Sequence, residues 1–156
     1  MSGNPMVPKV EILDTGQCWK LLSTTSVGRL AVTVDGHPDL FPVNYKIDED
    51  TLIFRTGDGT KLRAIKNDAR VAFETDAVTP ESGVAWSVVI KGSIEATPST
   101  SPALNETERI LFPWQGVGQD HFVRIIPETV TGRRFTLDTS MTWQISLDGS
   151  IRAGLE

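Results

Sequence analysis

The sequence predicts a mainly β protein in which short antiparallel strands form a barrel or a sandwich. Two observations support this prediction. Apolar and polar residues alternate over several short segments that are bounded by turns rich in glycine, proline and aspartate, as is typical of antiparallel strands. Segments with helical periodicity are few and short, and they do not alternate with the strands as they do in a doubly wound α/β fold.

Length and composition limit the classes of protein that remain. The 156 residues, 39% of them hydrophobic, can form one core but not two, so we predict a single domain over residues 1–156, with residues 1–12 and 139–156 at its periphery. There is no apolar run of the ~20 residues that a membrane span needs, and no signal-peptide pattern at the N-terminus. We therefore expect a cytoplasmic protein without membrane contact.

Charge and cysteine content exclude further kinds of surface and site. A net charge of -5 argues against a general nucleic-acid surface, since that affinity comes mainly from neutralising phosphates. Cys18 is the only cysteine, which rules out an internal disulfide and a zinc site built from thiolates. We predict that Cys18 is a small buried hydrophobic residue.

The first half of the chain predicts one helix and three strands. Asp14 can cap a helix over residues 14–26, whose apolar side chains share one face. Alternation over residues 29–34, a turn at 35–38 and a second apolar run at 41–47 predict a β-hairpin. After a turn at 48–50, the β-branched and aromatic residues of 51–56 continue the sheet as a meander.

The second half predicts further strands and two more short helices. A glycine-containing loop over residues 57–60 precedes a helix over 61–66, and a later helix is predicted over 103–111. Strands are predicted over 70–75 and 85–96, with Gly92 at a bulge or bend. The last two strands, 121–126 and 130–137, are separated by a break at Pro127 and Glu128.

The loop between the third strand and the second helix has the features of a phosphate site. A helix N-terminus exposes unpaired N–H groups and a partial positive charge, and glycine lets the backbone approach a ligand closely. Arg55, Thr56, Thr60 and Lys61 add side-chain donors around this loop. The segment has neither P-loop spacing nor a dinucleotide fingerprint.

Five segments, taken in order, carry a resemblance to a known family. They are residues 27–32 (VGRLAV), 37–45 (HPDLFPVNY), 55–61 (RTGDGTK), 86–92 (WSVVIKG) and 131–135 (TGRRF). Together they resemble the pyridoxamine 5′-phosphate oxidase-like family of flavin-binding split barrels, over about residues 15–135. The resemblance implies a split β-barrel of six or seven antiparallel strands, with a few short helices, and a homodimer that holds FMN between its subunits.

The same resemblance implies a set of cofactor-binding residues. Arg55, Thr56, Thr60 and Lys61 match the segment that holds the FMN phosphate. The isoalloxazine ring rests along the strand that corresponds to Pro42, Val43, Asn44 and Tyr45, and Trp86 and Ser87 match the strand expected to neighbour it. A flavin needs an anion site at one end and a flat, mostly apolar slot at the other, which these segments offer together.

The resemblance does not extend to the oxidase's own substrate. Tyr45 stands where a lysine is expected, and the later arginine- and histidine-containing motif is not matched. We therefore expect an FMN-dependent oxidoreductase with a different small-molecule substrate, whose catalytic residues the sequence does not identify. No residue spacing suggests a metal site.

Two alternatives remain open at this level. The chain could bind or sequester a flavin without turnover. It could also use the deazaflavin F420, whose longer acidic tail would need further cations such as Lys61, Arg63 and Lys66.

Overall fold

The computed structural model describes residues 9–56, 60–97 and 121–136, and within these ranges the chain forms seven strands and two helices. The strands are β1 (Lys9–Leu13), β2 (Val27–Val34), β3 (His37–Asp48), β4 (Thr51–Thr56), β5 (Arg70–Thr79), β6 (Val84–Thr97) and β7 (His121–Thr136). The helices are α1 (Thr15–Leu22) and α2 (Thr60–Asn67). Neither helix has the length and apolar character needed to cross a bilayer.

The strands form one antiparallel sheet that closes on itself. Their order is β1-β7-β4-β3-β2-β5-β6, and β6 also pairs with β7, so that strands β2 to β7 form a ring of six. The start of β7 lies between β4 and β6, whereas its end lies between β1 and β6. This arrangement confirms the predicted split β-barrel with six or seven antiparallel strands.

The core fills the inside of the ring with alternate side chains from each strand, because successive residues of a strand face opposite sides of the sheet. Leu30, Leu52, Phe54, Val88 and Ile90 are completely buried there. Helix α1 adds Cys18 and Leu22 to the same core, while α2 packs against β2 and adds Ala64 and Ile65. The burial of Cys18 confirms its predicted place.

The β2–β3 hairpin turns more tightly than the sequence predicts. Val34 pairs with His37, so only Asp35 and Gly36 form the loop. Both have positive φ, 49° and 78°, which suits the backbone twist of a two-residue hairpin. Strand β3 consequently begins at His37 and includes Pro38.

Three further boundaries differ from prediction. Helix α1 ends at Leu22 rather than near residue 26, and β5 extends beyond residue 75 to Thr79 through its pairing with β6. Strand β1, which was not predicted, joins the sheet through its pairing with β7. The predicted helix at 103–111 lies outside the described residues.

The predicted break at Pro127 and Glu128 is wrong. Strand β7 is continuous, and Lys91 pairs with Thr129 while Gly92 pairs with Pro127, which leaves Glu128 as the extra residue of a bulge. The bend expected at Gly92 is therefore confirmed. A Cβ atom at Gly92 would lie only 2.1 Å from the carbonyl oxygen of Ile126, so the close approach of the two strands requires glycine.

Candidate functional site

Strand β3 has an edge that no other strand covers within the described residues. It pairs with β2 from His37 to Asn44, but β4 reaches it only from Tyr45 to Asp48. The Tyr45 amide donates to the Ser26 carbonyl on the β2 side at 3.0 Å. Because backbone groups alternate along a strand, the amides of Leu40 and Asn44 point to the opposite, open edge.

The hydrogen bonding of Leu40 agrees with this direction. Its amide is satisfied by the side-chain carboxylate of Asp39 at 2.9 Å instead of by a neighbouring strand. Pro42, two residues further along, is exposed and has no amide hydrogen to donate. The open edge thus presents backbone carbonyl groups of β3 and the Asn44 amide to a ligand beside it.

The predicted ring-binding residues of β3 face different sides of the sheet. Val43 and Tyr45 point into the core, whereas Pro42 and Asn44 lie on the outer face. Asn44 is only 9% exposed, and no described residue makes a hydrogen bond to its side-chain amide. Since buried polar groups normally have a partner, this amide is a suitable contact for a ligand at the open edge.

The Tyr45 side chain is part of the packing inside the barrel. Its hydroxyl donates to the Leu22 carbonyl at 2.5 Å and lies 2.5 Å from the Thr25 hydroxyl. Its ring meets the ring of Phe73 edge to face, with 5.0 Å between centroids. Burial raises the pKa of the Tyr45 hydroxyl, and hydrogen bonds with Thr25 and Thr75 act in the opposite direction. This side chain joins the end of α1 to the barrel and does not face the open edge.

The predicted phosphate-binding residues lie next to this part of β3. Tyr45 pairs with Phe54, so one further step in the register brings Asn44 and the half-buried Arg55 side by side on the outer face. Thr56 ends β4, and α2 begins four residues later at Thr60, with Lys61 as its second residue. The structure therefore brings the end of β4 and the start of α2 to the same end of the barrel as Asn44. The side chains of Thr56, Thr60 and Lys61 are outside the description.

Trp86 and Ser87 are not beside the Pro42–Tyr45 segment, and the expectation that they occupy its neighbouring strand is wrong. They lie on β6, and β2 and β5 stand between β6 and β3. Strand β3 pairs with β2 and β4, whereas β6 pairs with β5 and β7 on the opposite side of the ring. Trp86 faces the core, whereas Ser87 lies on the outer face between Asp76 and Arg133.

One charged cluster on the outer face was not predicted. The Arg29 guanidinium contacts the Glu74 carboxylate at 3.0 Å and the Asp76 carboxylate at 3.5 Å. Burial raises the pKa of Glu74 from 4.5 to about 7, Asp76 adds to the rise through a hydrogen bond and its charge, and Arg29 opposes it. The signal in the sequence was the placement of two acidic residues at alternate positions of β5.

Chemistry by a metal or by a protein nucleophile finds no support in the described ranges. No three His, Cys, Asp or Glu side chains there come together as a metal site. Burial, with a smaller effect of Asp14, raises the pKa of the Cys18 thiol, which disfavours the reactive thiolate. The candidate site is a binding surface made of the open β3 edge, Asn44, Arg55, the end of β4 and the start of α2.

The chain is similar to a known protein family and to a curated protein. A family model described as pyridoxamine 5'-phosphate oxidase matches residues 14–134. The uncharacterized protein Rv0080 of Mycobacterium tuberculosis is 33% identical over 133 residues, which cover 81% of this chain and 86% of that protein.

Solved structures show the same fold. The FAD binding protein from Mycobacterium smegmatis is 35% identical with a TM-score of 0.63, covering 80% of this chain and 99% of the other. An FAD-binding protein from Mesorhizobium loti is 26% identical with a TM-score of 0.71, covering 84% of this chain and 100% of the other. The closed antiparallel barrel and the match over residues 14–134 lead to one conclusion: this chain belongs to the pyridoxamine 5'-phosphate oxidase family.

Proposed function

We propose that this protein binds FMN along the open edge of β3 and is a flavin-dependent oxidoreductase for a small-molecule substrate other than pyridoxamine phosphate. The observation that carries the proposal is that the open edge of β3 lies next to Arg55 and the start of α2, which we propose as an anion site. Asn44 and Arg55 lie side by side, one register step beyond the Tyr45–Phe54 pair, and α2 begins four residues after the end of β4. These are the two ends that a flavin mononucleotide requires.

The two ends suit different parts of the ligand. The N–H groups of the first turn of α2, which have no partner within the helix, and the cation of Arg55 suit a phosphate dianion, because each can donate a charge-assisted hydrogen bond. The Asn44 amide and the outward-pointing backbone groups of β3 suit the polar edge of a flat ring, which needs both donors and acceptors. Once bound, a flavin supplies hydride or electron transfer, which no described side chain offers.

Two solved relatives support a flavin as the ligand class, since both are named FAD-binding proteins. FAD contains the whole of FMN, so the same edge and anion site would suit either cofactor. We prefer FMN because the proposal needs only one anion site, at Arg55 and the start of α2. The deazaflavin F420 is the competing ligand, with Arg63 and Lys66 as further cations along α2.

The flavin site also requires a second copy of the chain in this proposal. Trp86 and Ser87 match family segments near the cofactor, yet within one barrel they lie across the ring from β3. Ser87 faces outward, so it would reach a ligand on β3 only from a second protein molecule. A homodimer is therefore the proposed active form.

Lys61→Ala tests the anion site. If Lys61 contacts the phosphate, its loss should remove ~1.5–3 kcal/mol and weaken FMN binding roughly ten- to a hundredfold. Riboflavin, which lacks the phosphate, should bind both proteins equally. Lys66→Ala is the matched control, since it removes the same charge from the exposed last turn of the same helix.

The titration should be run with FMN, FAD, riboflavin and F420 on flavin-free protein. Equal losses for FMN and riboflavin would show that Lys61→Ala disturbs the ring site or the fold, and tighter binding of F420 than of FMN would replace the proposed cofactor.

Turnover has a separate test. Rapid reduction of bound FMN by a nicotinamide cofactor, followed by reoxidation with a defined acceptor, supports an oxidoreductase; bound FMN that no donor reduces supports sequestration.

A further inference from the structure

A polar cavity lies between the second half of α2 and the β2–β3 turn. Its volume of about 440 Å³ is within the range of ~300–1,000 Å³ that small-molecule sites occupy. One wall is the end of β2 and the turn, over residues 33–36. The other wall includes Arg63, Ala64 and Asn67 of α2. The cavity is therefore separate from the proposed flavin surface, which uses the start of the same helix.

Hydrogen bonds hold both walls of the cavity in place. On one side, the two-residue turn closes the β2–β3 hairpin. On the other side, the Asp68 amide donates to the Ala64 carbonyl at 2.9 Å, just after the end of α2. The Asp68 carboxylate accepts hydrogen bonds from the amide and the guanidinium of Arg70 at 3.1 Å. A ligand would therefore meet a preformed site and would order little of the chain on binding.

Two opposite charges line the cavity without a partner. No described residue forms a hydrogen bond or an ion pair with the side chain of Arg63 or of Asp35, and these two side chains do not pair with each other. Asp68 also lines the cavity, but its carboxylate is already paired with Arg70. The unpaired charges among the described lining residues are thus one cation and one anion.

These charges determine which class of ligand the cavity can hold. A phosphate dianion would be attracted by Arg63 but repelled by Asp35 and by the end of α2, whose last carbonyl groups carry a partial negative charge. A polyamine would be repelled by Arg63. A molecule with one carboxylate and one ammonium group is matched to both, because the guanidinium can donate two parallel hydrogen bonds to a carboxylate and Asp35 can accept from an ammonium group.

The remaining lining residues fit the rest of such a molecule. Val34 is half-buried and Ala64 is buried, so the two give the cavity an apolar side. The Thr33 hydroxyl and the Asn67 amide can donate to a carboxylate or accept from an ammonium group. A Cβ atom at Gly36 would have no described neighbour within 4 Å, so the cavity is open beside the turn.

We propose that this cavity binds a free α-amino acid with an aliphatic side chain, and that it holds the carboxylate of the ligand at Arg63 and the ammonium group at Asp35 and the end of α2. The aliphatic side chain contacts Val34 and Ala64. The site does not depend on which flavin the protein binds, or on whether it binds one.

Titration of the isotope-labelled, flavin-free full chain with L-leucine, followed by two-dimensional NMR, tests the site. We expect saturable shifts of the amide signals of residues 33–36 and 63–68. Arg63→Gln should weaken L-leucine binding roughly tenfold or more, because it removes charge-assisted hydrogen bonds to the carboxylate. Lys20→Gln is the matched control, since it removes one positive charge from the exposed last turn of α1, and it should leave the affinity unchanged.

Asp35→Asn tests the ammonium end of the site. Asparagine followed by glycine is favoured in two-residue hairpin turns, so the substitution removes the charge and keeps the turn. L-leucine should bind this variant roughly tenfold or more weakly, whereas N-acetyl-L-leucine, which has no ammonium group, should bind the variant and the original protein equally weakly. Glu49→Gln is the matched control, because it removes an exposed carboxylate at a positive φ of 53° from the β3–β4 turn.

Ligand analogues test both ends on the unmodified protein, where no substitution can disturb the fold. L-leucine should bind more tightly than N-acetyl-L-leucine and than L-leucinamide, which lacks the carboxylate. Glycine should also bind more weakly, because it has no side chain to contact Val34 and Ala64. Equal affinities for L-leucine and the two analogues would overturn the proposed charge recognition, and equal affinities for L-leucine and glycine would overturn the aliphatic preference.

The location of the site has its own contradicting outcomes. No L-leucine binding at millimolar concentration overturns the proposal, and so does binding that both Arg63→Gln and Asp35→Asn leave unchanged. Thermal unfolding of the two variants should match that of their controls, which shows that a loss of binding is not a loss of fold.

An FMN and F420 titration of the same samples separates this inference from the proposed function. L-leucine binding without flavin affinity would refute the cofactor proposal and leave the amino-acid site standing. If Arg63→Gln weakens F420 binding and leaves L-leucine binding unchanged, Arg63 belongs to the cofactor site and the amino-acid site is refuted.

Discussion

At the scale of single residues, Tyr45 shows that core packing can determine the orientation of a side chain next to a candidate binding site. The resemblance assigns it to the ring-binding strand, and the structure directs its ring to Phe73 and its hydroxyl to Leu22 and Thr25. The side chain of its neighbour Asn44 lies on the outer face of the sheet. Adjacent residues of one strand thus have separate roles, because they face opposite sides of the sheet.

Tyr45→Phe should lower the free energy of unfolding by about 1–3 kcal/mol while FMN affinity stays unchanged. The substitution keeps the ring contact but leaves the Leu22 carbonyl without its buried donor, and such a loss carries a desolvation penalty of this size. Urea unfolding followed by circular dichroism measures the effect. Thr79→Val is the control, because it also removes a hydroxyl, at the exposed end of β5, and it should change stability by no more than about 0.5 kcal/mol. Unchanged stability together with weaker FMN binding would return Tyr45 to the ligand site.

At the scale of secondary structure, α1 illustrates how a short helix can be stabilised by its N-terminal cap and by the packing of its buried face. Eight residues are too few for a helix to be stable alone in water. The Asp14 side chain accepts from the Gln17 amide at 2.8 Å, and the Gln17 side chain accepts from the Asp14 amide at 3.0 Å. The helix then buries Cys18 and Leu22 against the barrel, where Gly132 leaves room for the sulfur.

Asp14→Ala should cost about 1 kcal/mol of stability, because it removes the acceptor for an otherwise unpaired helical amide. Thermal and urea unfolding both report the change. Asp14→Asn keeps an acceptor at the same position and should recover most of the loss. If alanine and asparagine behave alike, the cap contributes nothing and packing of Cys18 and Leu22 alone maintains α1.

At the scale of the whole molecule, the balance of charges makes stability depend on pH. The folded-state pKa of Glu74 is about 7, above its ordinary value of 4.5, so the folded chain holds this proton more tightly than the unfolded chain does. Its contribution to stability is therefore complete below about pH 4.5 and is lost as pH rises to about 7. Hydrogen bonds with Arg70 lower the pKa of the Asp68 carboxyl from 3.8. Any pH dependence of stability that Asp68 adds therefore lies at lower pH than that of Glu74.

The free energy of unfolding should accordingly fall by about 1 kcal/mol as pH rises through this window, a value that allows for solvent screening of a partly exposed group. Urea unfolding at several pH values and at a concentration that keeps the chain monomeric measures the slope. Glu74→Gln should flatten it, and Glu81→Gln, in an exposed turn, should preserve it. A slope that survives in Glu74→Gln would assign the proton to another group.

The sequence by itself determined the mainly β class, most of the strands and both described helices, because alternation, turn residues and helix caps are local properties. The segments of the candidate site came from its resemblance to a known family. Only the tertiary structure decided which strands meet. It placed Trp86 and Ser87 across the ring from β3, continued β7 through Pro127 by a bulge opposite Gly92, and gathered Arg29, Glu74 and Asp76 into one cluster. A period of two shows which residues share a face, but the partner of each face depends on how distant strands pair when the barrel closes.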